Sequence, residues 1–347
     1  MFSGWLMFNG SLLLASFATQ TWQLVLTQGL FYGVGWCICY TPVYIILNEW
    51  FDKRRGLAYG IYNAASGVSG LVLPFALEIL LRTHGFRVTL RTYVLAYALL
   101  SAPAFWLIRP RLPAHIRNPP QYSRDVFVVE RQAPWYSALM TPSVIVISTS
   151  IFLQGLIFPY PTTFLPSYAS TLGLDASKAS SLLSISALCQ VPGLILLGWF
   201  SDHVSIHIPH SLSTLISGVG CLFLWGQAKS FPFLAIFSSL WGFFGVPYSV
   251  FWSRISLGLA KESAAEKGEN EVVRRTVILF VWFNLLRGVA DIFAGPISRF
   301  LLSEHVDKDG FGLGQYAGVV NFSGIVLLIS AAGGFLSVYE NWSMRDT

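Results

Sequence analysis

The chain has 347 residues, of which 54% are hydrophobic and only 11% are charged. Soluble domains carry about 25% charged residues, so this composition excludes a water-soluble globular protein and predicts an integral membrane protein. The formal net charge of +5 lies in short basic clusters between apolar runs. That pattern excludes a nucleic-acid-binding surface and is typical of the cations that flank membrane spans.

Ten stretches are apolar enough for membrane-spanning helices, which need about 20 residues each. Four come before and six after a Pro- and Arg-rich segment, residues 109–139, which we interpret as a cytoplasmic linker. The predicted fold is all-α, with a helical bundle over 1–108, a six-helix bundle over 140–341 and a tail over 342–347. The predicted spans are residues 3–20, 22–47, 56–81, 89–108, 142–169, 176–200, 209–228, 231–253, 275–302 and 314–339.

The distribution of Lys and Arg orients these spans. Fourteen of the 22 Lys and Arg residues fall on the side that holds the linker and the C-terminus, and seven fall on the other side. Cytoplasmic loops are enriched in these residues, so both termini are predicted to be cytoplasmic. On that side, Lys53, Arg54 and Arg55 come directly before a helix and are expected to pin a tight turn.

Small residues recur at helical spacing just after that turn, and also in the span before it. Helices in lipid associate through close backbone contact at small residues. Two interpretations stay open: static packing faces, or faces that slide while helices rock against each other. The predicted packing faces are formed by Gly29 and Gly33 before the turn and by Gly56, Gly60, Ala64, Gly67 and Gly70 after it.

The span over 142–169 contains "FLQGLIFPYPTTF". Pro159 and Pro161 lack a backbone donor and are expected to kink or break this helix. Broken helices in the middle of a membrane commonly line a solute path, so Gln154 and Tyr160 are candidates to hydrogen-bond a solute. The alternative is a kinked packing helix whose polar groups are already satisfied.

The span over 275–302 carries two ionisable residues, Arg287 and Asp291. Charges inside a membrane span are costly and are functional candidates by default. Their spacing of four places them on one helix face. One interpretation is that Arg287 attracts a carboxylate while Asp291 holds it in place or exchanges a proton. The other is a self-neutralised pair that stabilises the bundle.

The stretch "DHVSIHIPH" holds His203, His207 and His210, and an i, i+4 histidine pair could ligate a metal. Pro209 interrupts the stretch, and we interpret it as a solvated cytoplasmic turn without a metal. The sequence contains no phosphate-binding loop, dinucleotide fingerprint or nucleophile elbow. No cofactor is expected, and an enzyme is not predicted.

Five stretches resemble the monocarboxylate transporters, a branch of the major facilitator superfamily, and its fungal members most of all. They are "EWFDKRRGLAYGI" (49–61), "HGFRVTLR" (84–91), "IRPRLP" (108–113), "FLQGLIFPYPTTFLPSYA" (152–169) and "GWFSD" (198–202). The last is similar to the superfamily's Gly-xxx-Asp turn. That similarity implies that Gly198 and Asp202 belong to a cytoplasmic turn in which Asp202 braces a neighbouring helix.

The resemblance also sets the register. If residues 56–81 match the fifth of the family's twelve helices, this chain begins at helix three and lacks helices one and two. The expected architecture is then ten helices, four plus six. The family's helix-eight arginine has no counterpart near Gln190 to Leu194.

The resemblance implies secondary active or facilitative transport of a small organic solute by alternating access. A monocarboxylate is the first expectation, with proton symport as a further one. The expected partners are the lipid bilayer, a small organic anion or other small organic solute, and protons, and the expected location is the plasma membrane. The alternative is a truncated family member that does not transport, either a regulatory remnant or the product of a mis-set gene start.

Overall fold

The computed structural model describes residues 1–51, 54–108, 135–264, 268–307 and 310–343. Every regular element in these ranges is a helix, as the sequence predicts, since backbone polar groups in lipid must be satisfied internally. In chain order the α-helices are α1 (Phe2–Ala15), α2 (Thr21–Leu24), α3 (Tyr32–Trp50), α4 (Arg55–Ser101), α5 (Ala104–Leu107), α6 (Pro142–Ile157), α7 (Pro159–Thr171), α8 (Ala176–His203), α9 (His207–Gly220), α10 (Phe231–Leu240), α11 (Trp252–Ala264), α12 (Glu269–Leu301) and α13 (Ala317–Ser343).

Helical structure occurs at each of the ten predicted spans. Within the described ranges, seven helical stretches are long and apolar enough to cross a membrane. Helix α1 is a shorter apolar helix, and the two predicted spans on α4 are not among the seven. The seven stretches are Thr21–Tyr44, Pro142–Thr171, Ser177–His203, His207–Trp225, Phe231–Ala264, Glu271–Leu301 and Ala317–Gly334.

Helix α4 changes direction at Gly85, which has φ 74° and ψ 172°. A side chain is strained in this region of backbone space, whereas glycine adopts it freely. The break divides α4 into two limbs, which correspond to the predicted spans 56–81 and 89–108.

Residue contacts divide the chain into two compact units. The first unit comprises residues 1–53 and 72–130, and the second comprises residues 54–71 and 131–347. The start of α4 therefore packs within the second unit. The domain limits expected from sequence, 1–108 and 140–341, stay a prediction. Most of the predicted linker (109–134), Lys53 and residues 344–347 lie outside the described residues.

The first unit packs α1 against α3 and the second limb of α4 through aromatic rings. Phe8, which is 3% exposed, lies 4.5 Å from Tyr32 and 4.9 Å from Tyr97 between ring centroids. Trp5 Nε1 donates a hydrogen bond of 2.8 Å to Ser101 Oγ. Aromatic packing of this kind combines large apolar contact with a polar anchor.

Close backbone approach in the first unit occurs at glycines other than the predicted ones. A Cβ on Gly4 would lie 2.8 Å from the Gly35 carbonyl oxygen, and a Cβ on Gly35 would lie 2.7 Å from Phe8 N. A Cβ on Gly29 or Gly33 would meet no described atom within 4 Å. The α1–α3 contact therefore uses Gly4 and Gly35.

The second unit contains two apolar clusters. One is centred on Trp225, Phe237 and Trp241, each at most 1% exposed, and the Trp225 and Phe237 rings stack at 5.3 Å. The other includes Ile151, Phe251 and Phe283. Protein cores are close-packed, so that a change of one methylene group in them affects stability, and these two clusters therefore hold the helices of this unit together.

The span over Phe231–Ala264 is not a continuous α-helix. Helix α10 ends at Leu240, a π-helical turn covers Trp241–Gly245, and a 3₁₀ segment covers Val246–Phe251 before α11 begins. Carbonyls freed by this irregularity find side-chain donors, because Gln154 Nε2 donates to Gly245 O at 3.3 Å and Ser213 Oγ donates to Phe244 O at 2.5 Å. Such segments are tolerated in a membrane where protein groups satisfy them, and they often mark functional sites.

Candidate functional site

Helix α12 carries Arg287 and Asp291 on one face, one turn apart. Arg287 Nε donates to both carboxylate oxygens of Asp291, at 3.3 Å to Oδ1 and 3.2 Å to Oδ2. The Arg287 side chain is 16% exposed and that of Asp291 is 42% exposed. The two residues therefore form a partly buried ion pair of the i, i+4 kind.

The second helix at this site is α6. Gly155 faces α12, and a Cβ there would lie 2.8 Å from Ala290 Cβ and 3.1 Å from Arg287 Cδ. The absence of a side chain at Gly155 lets the stem of Arg287 lie against α6. Phe158, three residues further on, places its ring 3.7 Å from Arg287 Cζ, which is a close cation–π contact.

The remaining donors of Arg287 have no hydrogen-bond partner in the part of the chain that the structure describes. Its Nε is engaged by Asp291, but neither terminal nitrogen makes a hydrogen bond to any residue that the structure describes. A guanidinium offers five N–H donors in a planar fork that matches a carboxylate with two parallel hydrogen bonds. Arg287 can therefore bind one carboxylate of a ligand without first losing Asp291.

The interruption expected at Pro159 and Pro161 is slight: α6 ends at Ile157 and α7 begins at Pro159, but Phe158 between them keeps helical dihedral angles (φ −51°, ψ −43°). Tyr160 lies in the first turn of α7 and is 2% exposed. Its hydroxyl donates to the Ala294 carbonyl oxygen at 3.0 Å. Residues Arg287, Asp291 and Ala294 lie on successive turns of α12, so the contacts from α6 and α7 run along one face of this helix.

Gln154 directly precedes Gly155 on α6 and is 1% exposed. Its amide nitrogen donates to Gly245 O, while its Oε1 atom is buried without a partner among the described residues. Gln154 and Tyr160 thus hydrogen-bond backbone carbonyls, and neither hydrogen-bonds Arg287 or Asp291.

A second arrangement joins the start of α4 to the end of α8. The Asp202 carboxylate accepts hydrogen bonds from the backbone N–H groups of Gly56 (2.8 Å) and Leu57 (2.9 Å). The first N–H groups of a helix have no partner inside the helix, and a carboxylate there also benefits from the helix dipole. Arg254 Nη1 lies 3.7 Å from Asp202 Oδ1. We call Gly56, Leu57, Gly198, Asp202 and Arg254 the turn clamp.

Beyond the turn clamp, α4 and α8 are in close contact over several turns. A Cβ on Gly56 would collide with the Gly198 carbonyl oxygen and one on Gly60 with the Leu194 carbonyl oxygen, and one on Gly67 would lie 2.8 Å from Val191 Cγ2. At Gly70 the nearest atom is Ala187 Cβ at 3.6 Å. Ala64 is buried in the same face. The contact is tightest at the turn and relaxes along the helices.

Two further residues of the turn predicted before α4 are described. Arg54 is exposed and Arg55 is half-buried at the start of α4. Lys53 is outside the described residues, so its predicted place in the turn stays a prediction.

The prediction of a solvated turn over the histidine stretch is wrong for His210. Helix α9 begins at His207, and Pro209 is tolerated there because the first turn of a helix lacks internal acceptors for its N–H groups. His210 is 1% exposed. Its Nε2 atom lies 3.3 Å from Tyr248 OH and 3.4 Å from Ser150 Oγ. Ser150 and Ser330 each donate to the other's carbonyl at 2.9 Å.

This buried polar cluster was not predicted, because its four members come from four separate segments of the chain. No group of three or more His, Cys, Asp or Glu residues within the described ranges has the geometry of a metal site.

These features define a helical integral membrane protein with a partly desolvated cation beside the junction of α6 and α7. The family model described as Major Facilitator Superfamily matches residues 1–267. The chain belongs to this superfamily of membrane transporters.

Individual relatives are similar at low identity. "MFS-type transporter 1" of Ophiocordyceps sp. (strain BCC 1869) is 29% identical over 67% of this chain and 49% of its own length. "Monocarboxylate transporter 12-B" of Danio rerio is 27% identical over 68% of this chain and 55% of its own length. "Agnestins efflux protein AgnL12" of Paecilomyces divaricatus is 26% identical over 92% of this chain and 66% of its own length. The chain spans about half to two thirds of these curated relatives.

Proposed function

We propose that this protein transports a small organic solute across a membrane, foremost a monocarboxylate, by alternating access. The observation that carries the proposal is Arg287, a cation inside a membrane span whose terminal nitrogens are unpaired among the described residues. Charges are placed in membrane spans at a cost, and one with unused donors is suited to an anionic ligand. The similarity to a monocarboxylate transporter supports the same solute class.

In this proposal the carboxylate of the solute takes the two terminal nitrogens of Arg287, and Asp291 retains Nε. Charge-assisted bidentate pairs are among the stronger hydrogen-bonded contacts in proteins. Asp291 holds the guanidinium in place while the solute is absent, so the cation is never left alone in the span. Gln154 and Tyr160 are candidate solute-path residues. Tyr160 would first have to release the Ala294 carbonyl, whereas Gln154 has an Oε1 atom without a partner among the described residues.

The turn clamp and the α4–α8 contact form the cytoplasmic closure in this proposal. Asp202 holds two N–H groups of α4, and the adjoining helices meet through backbone atoms at Gly56, Gly60 and Gly198. Contacts through small residues bring helices together without interlocking side chains. Their separation would open the protein to the cytoplasm. The proposed location is the plasma membrane, with both termini in the cytoplasm.

Uptake into proteoliposomes tests the solute class, with radiolabelled L-lactate, pyruvate and benzoate as probes and with efflux measured beside uptake. We expect saturable transport that Arg287→Ala abolishes while the protein level in the membrane stays unchanged. Arg299→Ala is the matched control, because Arg299 is exposed in the last turn of the same helix. Full transport by Arg287→Ala would overturn the role of Arg287.

The proposal further includes coupling of solute transport to protons. Uptake that collapses with a proton uncoupler supports symport, with Asp291 as the group that exchanges a proton. Uptake that ignores the uncoupler supports facilitated diffusion.

A second candidate is a family member that does not transport on its own. The observation in its favour is that the family's helix-eight arginine has no counterpart near Gln190 to Leu194. The intact mass of the protein from its native membrane separates the two candidates. A mass near 38.4 kDa together with no transport of any probe favours the second, and a mass several kilodaltons higher favours a longer transporter.

A further inference from the structure

The junction between α6 and α7 holds one aromatic ring against the candidate cation. Phe158 lies between Ile157, the last residue of α6, and Pro159, the first residue of α7. Its backbone N–H still donates to Gln154 O at 3.0 Å, whereas Pro159 has no N–H to donate. Phe158 also packs on the larger apolar cluster of the second unit. The backbone hydrogen bond and the contact with the cluster therefore hold the Phe158 ring in place independently of Arg287.

Arg287 is restrained on three sides. The Phe158 ring covers one face of the guanidinium at 3.7 Å from centroid to Cζ. Asp291 takes the Nε edge. The aliphatic stem lies against Gly155, where a Cβ would approach Arg287 Cδ to 3.1 Å. A long side chain has many rotamers, and holding it in one geometry before a ligand arrives lowers the cost of binding.

We propose that Phe158 is a positioning residue for Arg287, which it holds so that both terminal nitrogens face a planar carboxylate head group. The inference rests on the proposed function and deepens it. Ring contact on one face and Asp291 on one edge leave the opposite edge of the guanidinium as the place for the ligand. The site then selects planar anions that accept two parallel hydrogen bonds, and it rejects cationic and uncharged solutes.

The test compares Phe158→Leu with Phe158→Tyr and Phe158→Trp in the full chain, with transport of the best-transported probe acid as the readout. Leucine keeps the apolar contact with the cluster but has no π face, whereas the two aromatic substitutions keep one. We expect Phe158→Leu to raise KM about tenfold, the size of a lost desolvated cation–π contact. We expect the maximal rate to stay within about twofold, and the aromatic variants to restore KM.

Phe164→Leu is the matched control. Phe164 lies in α7 beside the same cluster, and its described ring contacts are with Tyr160 and Tyr316 rather than with Arg287. We expect it to leave KM unchanged. Thermal unfolding of each variant in nanodiscs separates a change in KM from a loss of fold.

The outcomes distinguish this inference from the proposed function. An unchanged KM in Phe158→Leu, combined with loss of transport in Arg287→Ala, overturns the positioning role and leaves the proposed function standing. Full transport by Arg287→Ala overturns both. An equal rise of KM in Phe158→Leu and in the two aromatic variants assigns the effect to shape, and it also overturns the positioning role.

Discussion

Asp202 and Arg287 are both charged residues largely enclosed by protein, yet their surroundings differ in one respect. Asp202 is 4% exposed, and its two oxygens accept hydrogen bonds from two backbone N–H groups. Arg287 uses only one of its three nitrogens in hydrogen bonds to described residues. Both carboxylate oxygens of Asp202 accept hydrogen bonds from the protein. The two terminal nitrogens of Arg287 have no hydrogen-bond partner among the described residues. Unused hydrogen-bond donors on a buried charge, more than burial itself, therefore mark a candidate binding group.

The largest effect on stability is expected at Asp202. Asp202→Ala leaves the N–H groups of Gly56 and Leu57 without an acceptor in a tightly packed place, at a cost of about 2–4 kcal/mol. Thermal unfolding in nanodiscs measures the loss. Asp202→Asn keeps one acceptor oxygen and should cost about half as much. Equal stability of both variants and the wild type would show that the turn clamp does not stabilise the fold.

Gly60→Ala is expected to cost about 1–3 kcal/mol, because the new Cβ would collide with the Leu194 carbonyl oxygen and force α4 and α8 apart. Gly29→Ala is the control. It adds a methyl group in open space, and alanine favours a helix by about 0.5–1 kcal/mol. Unfolding temperatures should therefore move in opposite directions, and a fall in both would contradict the described helix contacts.

Arg287→Lys tests whether the fork of donors matters as well as the charge. Lysine keeps the cation but cannot make two parallel hydrogen bonds to one carboxylate. We expect about a tenfold loss of apparent affinity for the transported acid, or about 1.4 kcal/mol, with an unchanged unfolding temperature. Transport assays over a range of acid concentrations measure it. Wild-type affinity in the lysine variant would show that Arg287 contributes only its charge and that two parallel hydrogen bonds are not required.

Sequence patterns predicted the parts of this molecule that depend on neighbouring residues. The spacing of Arg287 and Asp291 indicated their shared face, and Pro159 indicated the point where α6 ends and α7 begins, although the backbone stays helical between them. Phe158 was missed because its contact with Arg287 joins segments far apart in sequence. Gly29 and Gly33 repeat at helical spacing like Gly56 and Gly60, but spacing does not indicate which helix face meets a neighbour. His210 was misassigned because a Pro beside a His resembles a turn, although Pro fits the first turn of a helix.

The smallest effect on stability is expected at Asp291, the ion-pair partner of Arg287. Its side chain is 42% exposed, and the amide of Asp291→Asn can still accept the hydrogen bond from Arg287 Nε. Asp291→Asn should therefore lower the unfolding temperature only slightly, by less than Asp202→Asn does. In transport, the amide still accepts a hydrogen bond from Arg287 Nε but no longer balances its charge, so a negatively charged solute should bind somewhat more tightly. If Asp291 exchanges the proton of symport, the variant also loses sensitivity to the uncoupler while it keeps exchange of labelled for unlabelled acid. A variant that is as unstable as Asp202→Ala would instead show that the Arg287–Asp291 pair holds the bundle together. The unused donors of Arg287 would then no longer indicate a binding site.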